Sequence, residues 1–190
     1  MRDPPIYVVS VNQDYYHRDS SLDLGRYTPN THGADYIALL RQPYLLPYVL
    51  GGARQRVLVV GAGGGADVQM ALASGATRVD AVEIDPVLVT VAQRFNADAP
   101  YSDPRVHVQV DDARSYFSKA TPGYDLVVFG YLDSQALFSS MSNLRLDGFV
   151  YTVESIRAAY RLLNADGIAH PVVCHQPGLD GGKTLSHGRG

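Results

Sequence analysis

Glycines and carboxylates recur at fixed distances in the middle of this chain, each at the end of a short apolar run. Gly61, Gly63 and Ala66 follow the run VLVV with the spacing G-x-G-x-x-G/A, and Glu83 lies 22 positions beyond Gly61. Such glycines let a ligand approach the backbone, and a carboxylate at the next strand end can accept hydrogen bonds from two ribose hydroxyls. The spacing predicts a nucleoside site. The alternative for Glu83 is a solvated strand end.

Two further acids help to distinguish between the candidate ligands. Asp111 and Asp112 follow the third apolar run, where an acid can accept a hydrogen bond from an adenine amino group. More than 50 residues precede the glycine turn, whereas nicotinamide enzymes usually open with it. The pattern therefore favours S-adenosylmethionine or a relative over a nicotinamide dinucleotide. Either acid could instead cap the following helix.

These residues must be positioned by alternating strands and helices. The apolar runs predict strands at 56–60, 78–84, 105–110, 125–130 and 167–173. Helices are predicted from about 66 to 74, from Pro86 onward with Asp85 as the cap, and from Val153 to Leu163 with Thr152 as the cap. In the last helix Val153, Ile156, Ala159, Tyr160 and Leu163 are expected to face the sheet. The pattern predicts an α/β fold with a doubly wound, mostly parallel Rossmann-like sheet.

The composition limits the organisation and the partners. The chain has 190 residues, 46% of them hydrophobic, which suits one main domain. The net charge of -3, without a basic stripe, argues against nucleic acid as a partner. Cys174 is the single cysteine, and no apolar run approaches the roughly 18 residues that a membrane span needs. We expect a cytoplasmic protein without a membrane span.

The chain divides into three segments. Residues 1–53 are expected to form a helical and loop lead segment, with a helix interrupted by Pro43 and Pro47. Residues 54–174 are the predicted nucleoside-binding domain. Residues 175–190 have almost nothing apolar to bury and are expected to be a disordered tail. His170, Cys174 and His175 lie near one another in sequence but lack a second ligand cluster, so no metal site is predicted.

A series of motifs in one order resembles the spermidine synthase-like, or polyamine aminopropyltransferase, branch of the methyltransferase fold. The motifs are VLVVGAGGGADV, VDAVEIDPVLVTVAQRF, SDPRVHVQVDDARSYF, YDLVVFGYLDS and YTVESIRAAYRLLNADGI, which together cover about residues 54–170. The resemblance implies a seven-stranded sheet that binds S-adenosylmethionine or its decarboxylated form. It also implies contacts of Gly61, Gly63 and Gly65 with the methionine portion, of Glu83 with the ribose, and of Asp112 and Ala113 with the adenine.

This chain departs from the family pattern at the two positions that handle the amine. The resemblance implies an acid within the glycine turn and a proton-accepting acid after the fourth strand, but Gly64 and Gly130 stand there. An amine with a pKa of about 10.4 is neutral in about one molecule in 2500 at pH 7, so presenting it without a base costs about 4.6 kcal/mol. Asp133 or Tyr131 is the candidate substitute, while Gly130 itself is expected to line the nucleoside site.

The chain also stops before the last strands that the resemblance implies. Either another chain covers that edge or the sequence is a truncated product or fragment, and an open edge favours homo-oligomers. The leading interpretation is a transferase domain for S-adenosylmethionine or its decarboxylated form with a small-molecule acceptor, a polyamine being one candidate. The alternatives are a small-molecule methyltransferase and a catalytically silent nucleoside-binding or assembly domain.

Overall fold

A five-stranded parallel sheet forms the centre of the computed structural model, which describes residues 4, 7–11, 14–51, 54–130 and 150–171. The strands lie in the order β5-β4-β3-β6-β7. Their bounds are β3 Arg56–Val60, β4 Arg78–Glu83, β5 Val106–Val110, β6 Tyr124–Phe129 and β7 Leu163–Pro171. Chain order reverses direction between β3 and β6, so the two central neighbours form the topological switch point of the sheet.

Helices cover both faces of this sheet. They are α1 His32–Gly51, α2 Ala66–Ala73, α3 Pro86–Phe95, α4 Ala113–Lys119 and α5 Val153–Leu162. Successive residues of β3 point to opposite layers: Val57 and Val59 pack in the cluster that contains residues of α1, α2 and α3, and Leu58 and Val60 pack in the cluster of α4 and α5. Burial on both faces explains why residues 57–60 of this strand are all apolar. The predicted doubly wound, Rossmann-like α/β fold is confirmed.

The predicted helix starts are confirmed where a capping side chain was expected. The Asp85 carboxylate accepts a hydrogen bond from the Val87 amide at 2.8 Å, with Pro86 at the first helical position. The Thr152 hydroxyl accepts one from the Ser155 amide at 3.1 Å. These caps satisfy amide groups that the helix itself leaves without acceptors.

The predicted inner face of α5 is only partly correct: Ala159 and Leu163 pack in the core as expected, but Val153, Ile156 and Tyr160 are exposed. Ser155, Ala159 and Leu162 are buried, whereas Val153 and Tyr160 are each 58% exposed. The buried residues are spaced i, i+4, i+7 and the first two are small, which lets the helix lie close to the sheet. The spacing of apolar residues alone does not show which of two adjacent stripes of this helix faces the sheet.

The segment before the sheet also differs from the prediction. Tyr7–Val11 and Asp14–Asp19 form strands β1 and β2 of an antiparallel pair, where only helix and loop were expected. These strands are rich in tyrosine and valine, which favour extended backbone. The helix that Pro43 and Pro47 were expected to interrupt is a single element, α1, with both prolines inside it.

The last strand begins earlier than predicted, directly after α5. Tyr124 pairs with Leu163 and Leu126 pairs with Ile168, so the turn-like residues between Leu163 and Ile168 are taken up as an irregularity within β7. The residues predicted as the end of this strand and as the tail, 172–190, lie outside the described part. Within the described ranges, no helix combines the length and apolarity that crossing a membrane requires.

A buried polar network anchors the start of β4. Asp80 is 2% exposed and accepts hydrogen bonds from the Tyr124 hydroxyl at 2.7 Å and from the Arg78 guanidinium at 2.9 Å. The Arg56 guanidinium lies 3.7 Å from the same carboxylate and stacks over the Tyr124 ring at 4.2 Å. The network joins β3, β4 and β6 on the side that packs against α4 and α5.

Replacing Asp80 should therefore destabilise the sheet. In Asp80→Ala, the Tyr124 hydroxyl and two guanidinium groups lose their acceptor, and we expect the free energy of unfolding to fall by about 2–3 kcal/mol. Urea denaturation measures the change. Asp166→Ala, at an exposed position, should stay within about 0.5 kcal/mol of the parent. Equal stabilities of the two variants would contradict a stabilising role for the Asp80 network.

Candidate functional site

The glycine turn after β3 adopts a backbone that favours glycine. Gly61, Gly63 and Gly65 have φ values of 71°, 48° and 91°, and Gly65 is the residue before α2. A Cβ on Gly65 would lie 2.6 Å from Pro100 Cγ. The turn therefore owes its shape both to the left-handed conformation and to the segment packed behind it.

Glu83 lies at the end of β4 with its carboxylate against the centre of this turn. One carboxylate oxygen accepts a hydrogen bond from the Gly63 amide at 2.8 Å, and the other accepts one from the Asp85 amide at 2.9 Å. The residue is 6% exposed. Because a carboxylate has about four acceptor positions, each oxygen keeps capacity for a further donor. The structure thus brings Gly63 and Glu83 together, as their spacing predicted.

Four amides of the turn, those of Gly61, Ala62, Gly63 and Gly65, already have acceptors within the protein. The Gly61 and Ala62 amides donate to the Val82 carbonyl at 2.9 and 3.0 Å, and the Gly65 amide donates to the Ala62 carbonyl at 2.8 Å. The Gly63 amide is held by Glu83. A diphosphate needs free amide donors at this position, and a carboxylate there would repel it. The arrangement suits hydroxyl donors or a cation.

Two side chains that the sequence analysis did not identify support the turn from behind. The Tyr101 hydroxyl donates to the Gly63 carbonyl and the Asn96 side-chain amide donates to the Gly64 carbonyl, both at 2.7 Å. Both residues belong to the segment between α3 and β5, and Tyr101 lies within a short 3-10 helix at Pro100–Ser102. No periodicity marks this segment, so the sequence offered no signal for its contact with the turn.

The predicted adenine-binding acids lie at the same edge of the sheet. The Asp111 amide donates to the Glu83 carbonyl at 3.0 Å, which fixes the two strand ends together. The Asp111 carboxylate contacts the Lys119 ammonium, and this hydrogen bond is the main reason why the pKa of Asp111 lies below its usual value. The Asp112 carboxylate accepts from the Arg114 and Ser115 amides at 3.0 and 3.1 Å. The helix-cap alternative therefore describes Asp112 in this structure.

The remaining neighbours of this edge are apolar. Ala113 is buried at the first position of α4. Ile84 directly follows β4 and Val110 ends β5, and each side chain is 53% exposed. Exposed apolar residues beside a carboxylate provide a surface on which a purine ring can pack. Ile84 and Val110 were not predicted from the sequence, although an apolar residue between the acids Glu83 and Asp85 was a usable signal.

Gly130 directly follows β6 and is in close contact with the glycine turn. Its amide donates to the Val60 carbonyl at 2.7 Å, and a Cβ at this position would lie 2.5 Å from the Gly61 carbonyl oxygen. A residue with a side chain does not fit here without a shift of the backbone. The two candidate substitutes for a base, Tyr131 and Asp133, lie outside the described residues.

An acid that the sequence analysis did not consider lies beside Gly130. Asp67, in the first turn of α2, is 6% exposed, and its Oδ2 atom is 3.1 Å from the Cβ position of Gly130. Burial raises the pKa of Asp67 to about 7. The usable signal was the acid in GADV, because the helix places this residue among buried neighbours.

His170 is the described member of the group of residues considered as metal ligands. It lies in β7, and partial burial lowers its pKa. Cys174 and His175 lie outside the described ranges. Among the residues that the structure describes, no three histidine, cysteine, aspartate or glutamate side chains are grouped as metal ligands would be.

Comparison with known proteins identifies the family of this domain. The family model described as "Spermine/spermidine synthase domain" matches residues 46–177, more than half of the chain. The chain belongs to the spermine/spermidine synthase family. The match spans all five strands of the parallel sheet, the glycine turn and Glu83, so the family resemblance expected from the motifs is confirmed.

Curated relatives of this spermine/spermidine synthase-family domain carry consistent names. A polyamine aminopropyltransferase from Thermoplasma volcanium is 30% identical over 112 residues, which cover 53% of this chain and 41% of that protein. Spermidine synthase 2 from Arabidopsis thaliana is 36% identical over 78 residues, covering 39% of this chain and 23% of that protein. The chain thus spans less than half the length of these relatives.

Solved structures show the same fold. Spermidine synthase from Thermotoga maritima superposes with a TM-score of 0.55 at 18% identity, covering 69% of this chain and 43% of that chain. Human methyltransferase-like protein 13 in complex with SAH superposes with a TM-score of 0.50 at 23% identity, covering 71% of this chain and 62% of that chain. This spermine/spermidine synthase-family domain therefore has a methyltransferase-type Rossmann-like fold.

Proposed function

We propose that this domain binds an adenosyl sulfonium compound and transfers an alkyl group from it to a small amine. The donor is S-adenosylmethionine or, as aminopropyl transfer requires, its decarboxylated form. The family match and the names of the curated relatives support aminopropyl transfer to a polyamine. The chain covers only part of those relatives, so the reaction is proposed on the residues of this site.

The observation that carries the proposal is the hydrogen bond from the Gly63 amide to the Glu83 carboxylate. It places negative charge at the centre of the turn and occupies an amide that a dinucleotide's diphosphate would need. Both Glu83 oxygens keep acceptor capacity, which matches the two hydroxyl donors of a ribose. These features fit an adenosyl sulfonium, which brings a diol and a positive charge, better than a nicotinamide dinucleotide.

The residues around Glu83 are proposed to contact the adenine and the methionine-derived part of the ligand. We assign the adenine ring of the ligand to the surface formed by Ile84 and Val110, with Asp111, Asp112 and the Ala113 backbone at the polar edge of this surface. Gly61, Gly63, Gly65 and Gly130 present bare backbone where the methionine-derived part lies. The close approach of Gly130 to Gly61 keeps this part of the crevice narrow.

When bound, the sulfonium supplies an electrophilic carbon and a neutral thioether as leaving group. The protein therefore has little bond-breaking work to do and acts mainly by positioning the two reactants in line. Its second task is to accept a proton, because an acceptor amine is almost entirely an ammonium ion at pH 7. Because residue 130 is a glycine, it offers no side chain that could accept this proton.

Replacing Glu83 tests the nucleoside site. Glu83→Gln keeps the side-chain length but removes the charge and puts an NH2 group in place of one acceptor, so we expect methylthioadenosine and decarboxylated S-adenosylmethionine to bind about 10 to 100 times more weakly. Isothermal titration calorimetry measures both affinities. Glu154→Gln, at an exposed position of α5, is the matched control and should bind like the parent.

The same titration separates the ligand classes. The parent protein should bind the adenosyl ligands and should not bind NAD at comparable concentration. Tighter binding of NAD, or adenosyl affinities that Glu83→Gln leaves unchanged, would overturn the proposed ligand. Mass analysis of putrescine incubated with the protein and decarboxylated S-adenosylmethionine then tests group transfer directly.

A further inference from the structure

The strongest feature that the proposed function leaves unused is the buried carboxyl of Asp67. Its side chain projects from the first turn of α2 toward the junction of β3 and β6, where Oδ2 lies 3.1 Å from the Cβ position of Gly130. β3 and β6 are the adjacent strands at which the connections of the sheet diverge. Ligands of doubly wound folds bind at the carboxyl end of such a junction.

The residues that the structure describes give this carboxyl no compensating partner. Within the described ranges, no hydrogen bond or ion pair to Asp67 is formed, although the residue is only 6% exposed. The Tyr48 hydroxyl of α1 is likewise buried without a hydrogen-bond partner in the described part of the chain. The pKa of Tyr48 is raised by its burial and then by the negative charge of Asp67, so the two groups are close enough to interact.

An unpaired buried carboxyl is costly, and an apolar residue at this position would pack without that cost. Strongly perturbed acids of this kind gather at functional sites. A positively charged ligand group would supply the missing partner. The bare backbone of Gly130 gives the Asp67 carboxyl room at the end of β6, because a Cβ on residue 130 would lie only 3.1 Å from its Oδ2 atom.

We propose that Asp67 binds the primary ammonium group of the amine acceptor and takes up its proton before group transfer. The inference rests on the proposed function and deepens it. In the step, the ammonium gives one proton to the Asp67 carboxylate. The nitrogen lone pair forms a C–N bond to the sulfonium carbon while the C–S bond breaks and its electron pair remains on the sulfur. The product is a secondary ammonium and a neutral thioether, and the Asp67 proton leaves to solvent.

The chemistry of Asp67 matches this task. The group carries a pKa of about 7, so it is a stronger base than an exposed carboxylate and still partly ionised at neutral pH. The described titratable group that interacts with it is Tyr48, which stays neutral in this range because its pKa is raised. An arriving ammonium favours the carboxylate form of Asp67 and so lowers its pKa.

Calorimetry with putrescine as the probe tests the proposal on the full chain. The titration is run with and without saturating methylthioadenosine, for the parent, for Asp67→Asn and for Asp35→Asn, an exposed acid of α1 that serves as the matched control. We expect Asp67→Asn to weaken putrescine binding at least 10-fold while methylthioadenosine binding is retained. Asp35→Asn should stay within about twofold of the parent.

A second readout distinguishes proton uptake from a structural effect. Titrations at pH 7 in buffers of different ionisation enthalpy report the protons released on binding. The parent should release about half a proton, because a group with a pKa near 7 is about half protonated before the ammonium arrives. Asp67→Asn should release none. Retained methylthioadenosine binding in this variant shows that the site is folded.

The outcomes separate the inference from the proposed function. Putrescine that binds Asp67→Asn as tightly as the parent, or with the same proton release, overturns the role of Asp67 and leaves the proposed function standing. A parent that binds methylthioadenosine but no putrescine also overturns it, and limits the function to nucleoside binding. A parent that binds no adenosyl ligand overturns the proposed function itself, and the inference with it.

Discussion

Asp67→Asn should make the protein more stable than the parent, and the gain should grow as the pH rises from 5 to 8. The pKa of Asp67 is raised by burial to about 7 in the folded state, against an ordinary value of 3.8. Folding therefore opposes ionisation of this group. Asparagine has nearly the same shape but does not ionise, so the variant avoids the loss of stability that ionisation of Asp67 causes.

The sign and size follow from proton linkage. Below pH 3.8 both states hold the proton and Asp67 has no pH-dependent effect. Between 3.8 and about 7 the unfolded chain loses the proton first, so stability falls with rising pH, and the full cost is reached above about 7. A shift of about three pKa units corresponds to about 4 kcal/mol at pH 8 and to about 2 kcal/mol at pH 5.

Urea denaturation of both proteins at pH 5, 6, 7 and 8 measures this difference. Tyr48, whose pKa is raised, stays neutral over the whole range and does not contribute. Asp35→Asn, at an exposed position, should follow the parent at every pH. Parallel curves for Asp67→Asn and the parent would show that Asp67 is already ionised in the folded protein, and would refute the raised pKa.

Gly130→Asp should destabilise the protein and should not create a working base, although it would restore the acid that the family pattern implies. The new Cβ would lie 2.5 Å from the Gly61 carbonyl oxygen and 3.3 Å from the Val60 carbonyl oxygen. Both oxygens belong to the backbone, so a change of side-chain rotamer cannot relieve the steric conflict. The added carboxylate would also lie beside Asp67. We expect a loss of about 3 kcal/mol or more, which corresponds to a fall in Tm of about 6–12 °C.

Two companion variants separate the causes. Gly130→Ala introduces the steric conflict without a charge and should cost about 1–3 kcal/mol. Combining Gly130→Asp with Asp67→Asn removes the repulsion between two carboxyl groups and should recover part of the loss, which a double-mutant cycle measures. A Gly130→Asp protein with unchanged Tm and faster transfer to putrescine would contradict the geometry described for this junction.

Local residue patterns predicted most of the fold. The run RVLVV predicted β3 without error in its bounds, and Asp85 with Pro86 predicted the start of α3, because buried strands and capped helix starts depend on residues adjacent in the chain. The buried face of α5 was predicted only in part: Ala159 faces the sheet as expected, but Val153 and Tyr160 do not. Both stripes of that helix contain small or apolar residues, and only packing against the sheet decides between them. The hairpin β1–β2 was missed because its pairing depends on contact between two short segments.

The candidate site could likewise be predicted only where it depends on residues of one local sequence unit. The sequence by itself determined that a glycine turn and Glu83 meet at one edge of a parallel sheet, because a βαβ unit brings consecutive strand ends together whatever lies elsewhere. The tertiary structure alone decided that the Gly63 amide is occupied by Glu83, that Gly130 has no room for a side chain, and that Asp67 lies buried beside it. The last two relations join β3, β6 and α2, and 63 positions of sequence separate Asp67 from Gly130. No local pattern encodes them, since burial and charge depend on which elements pack together.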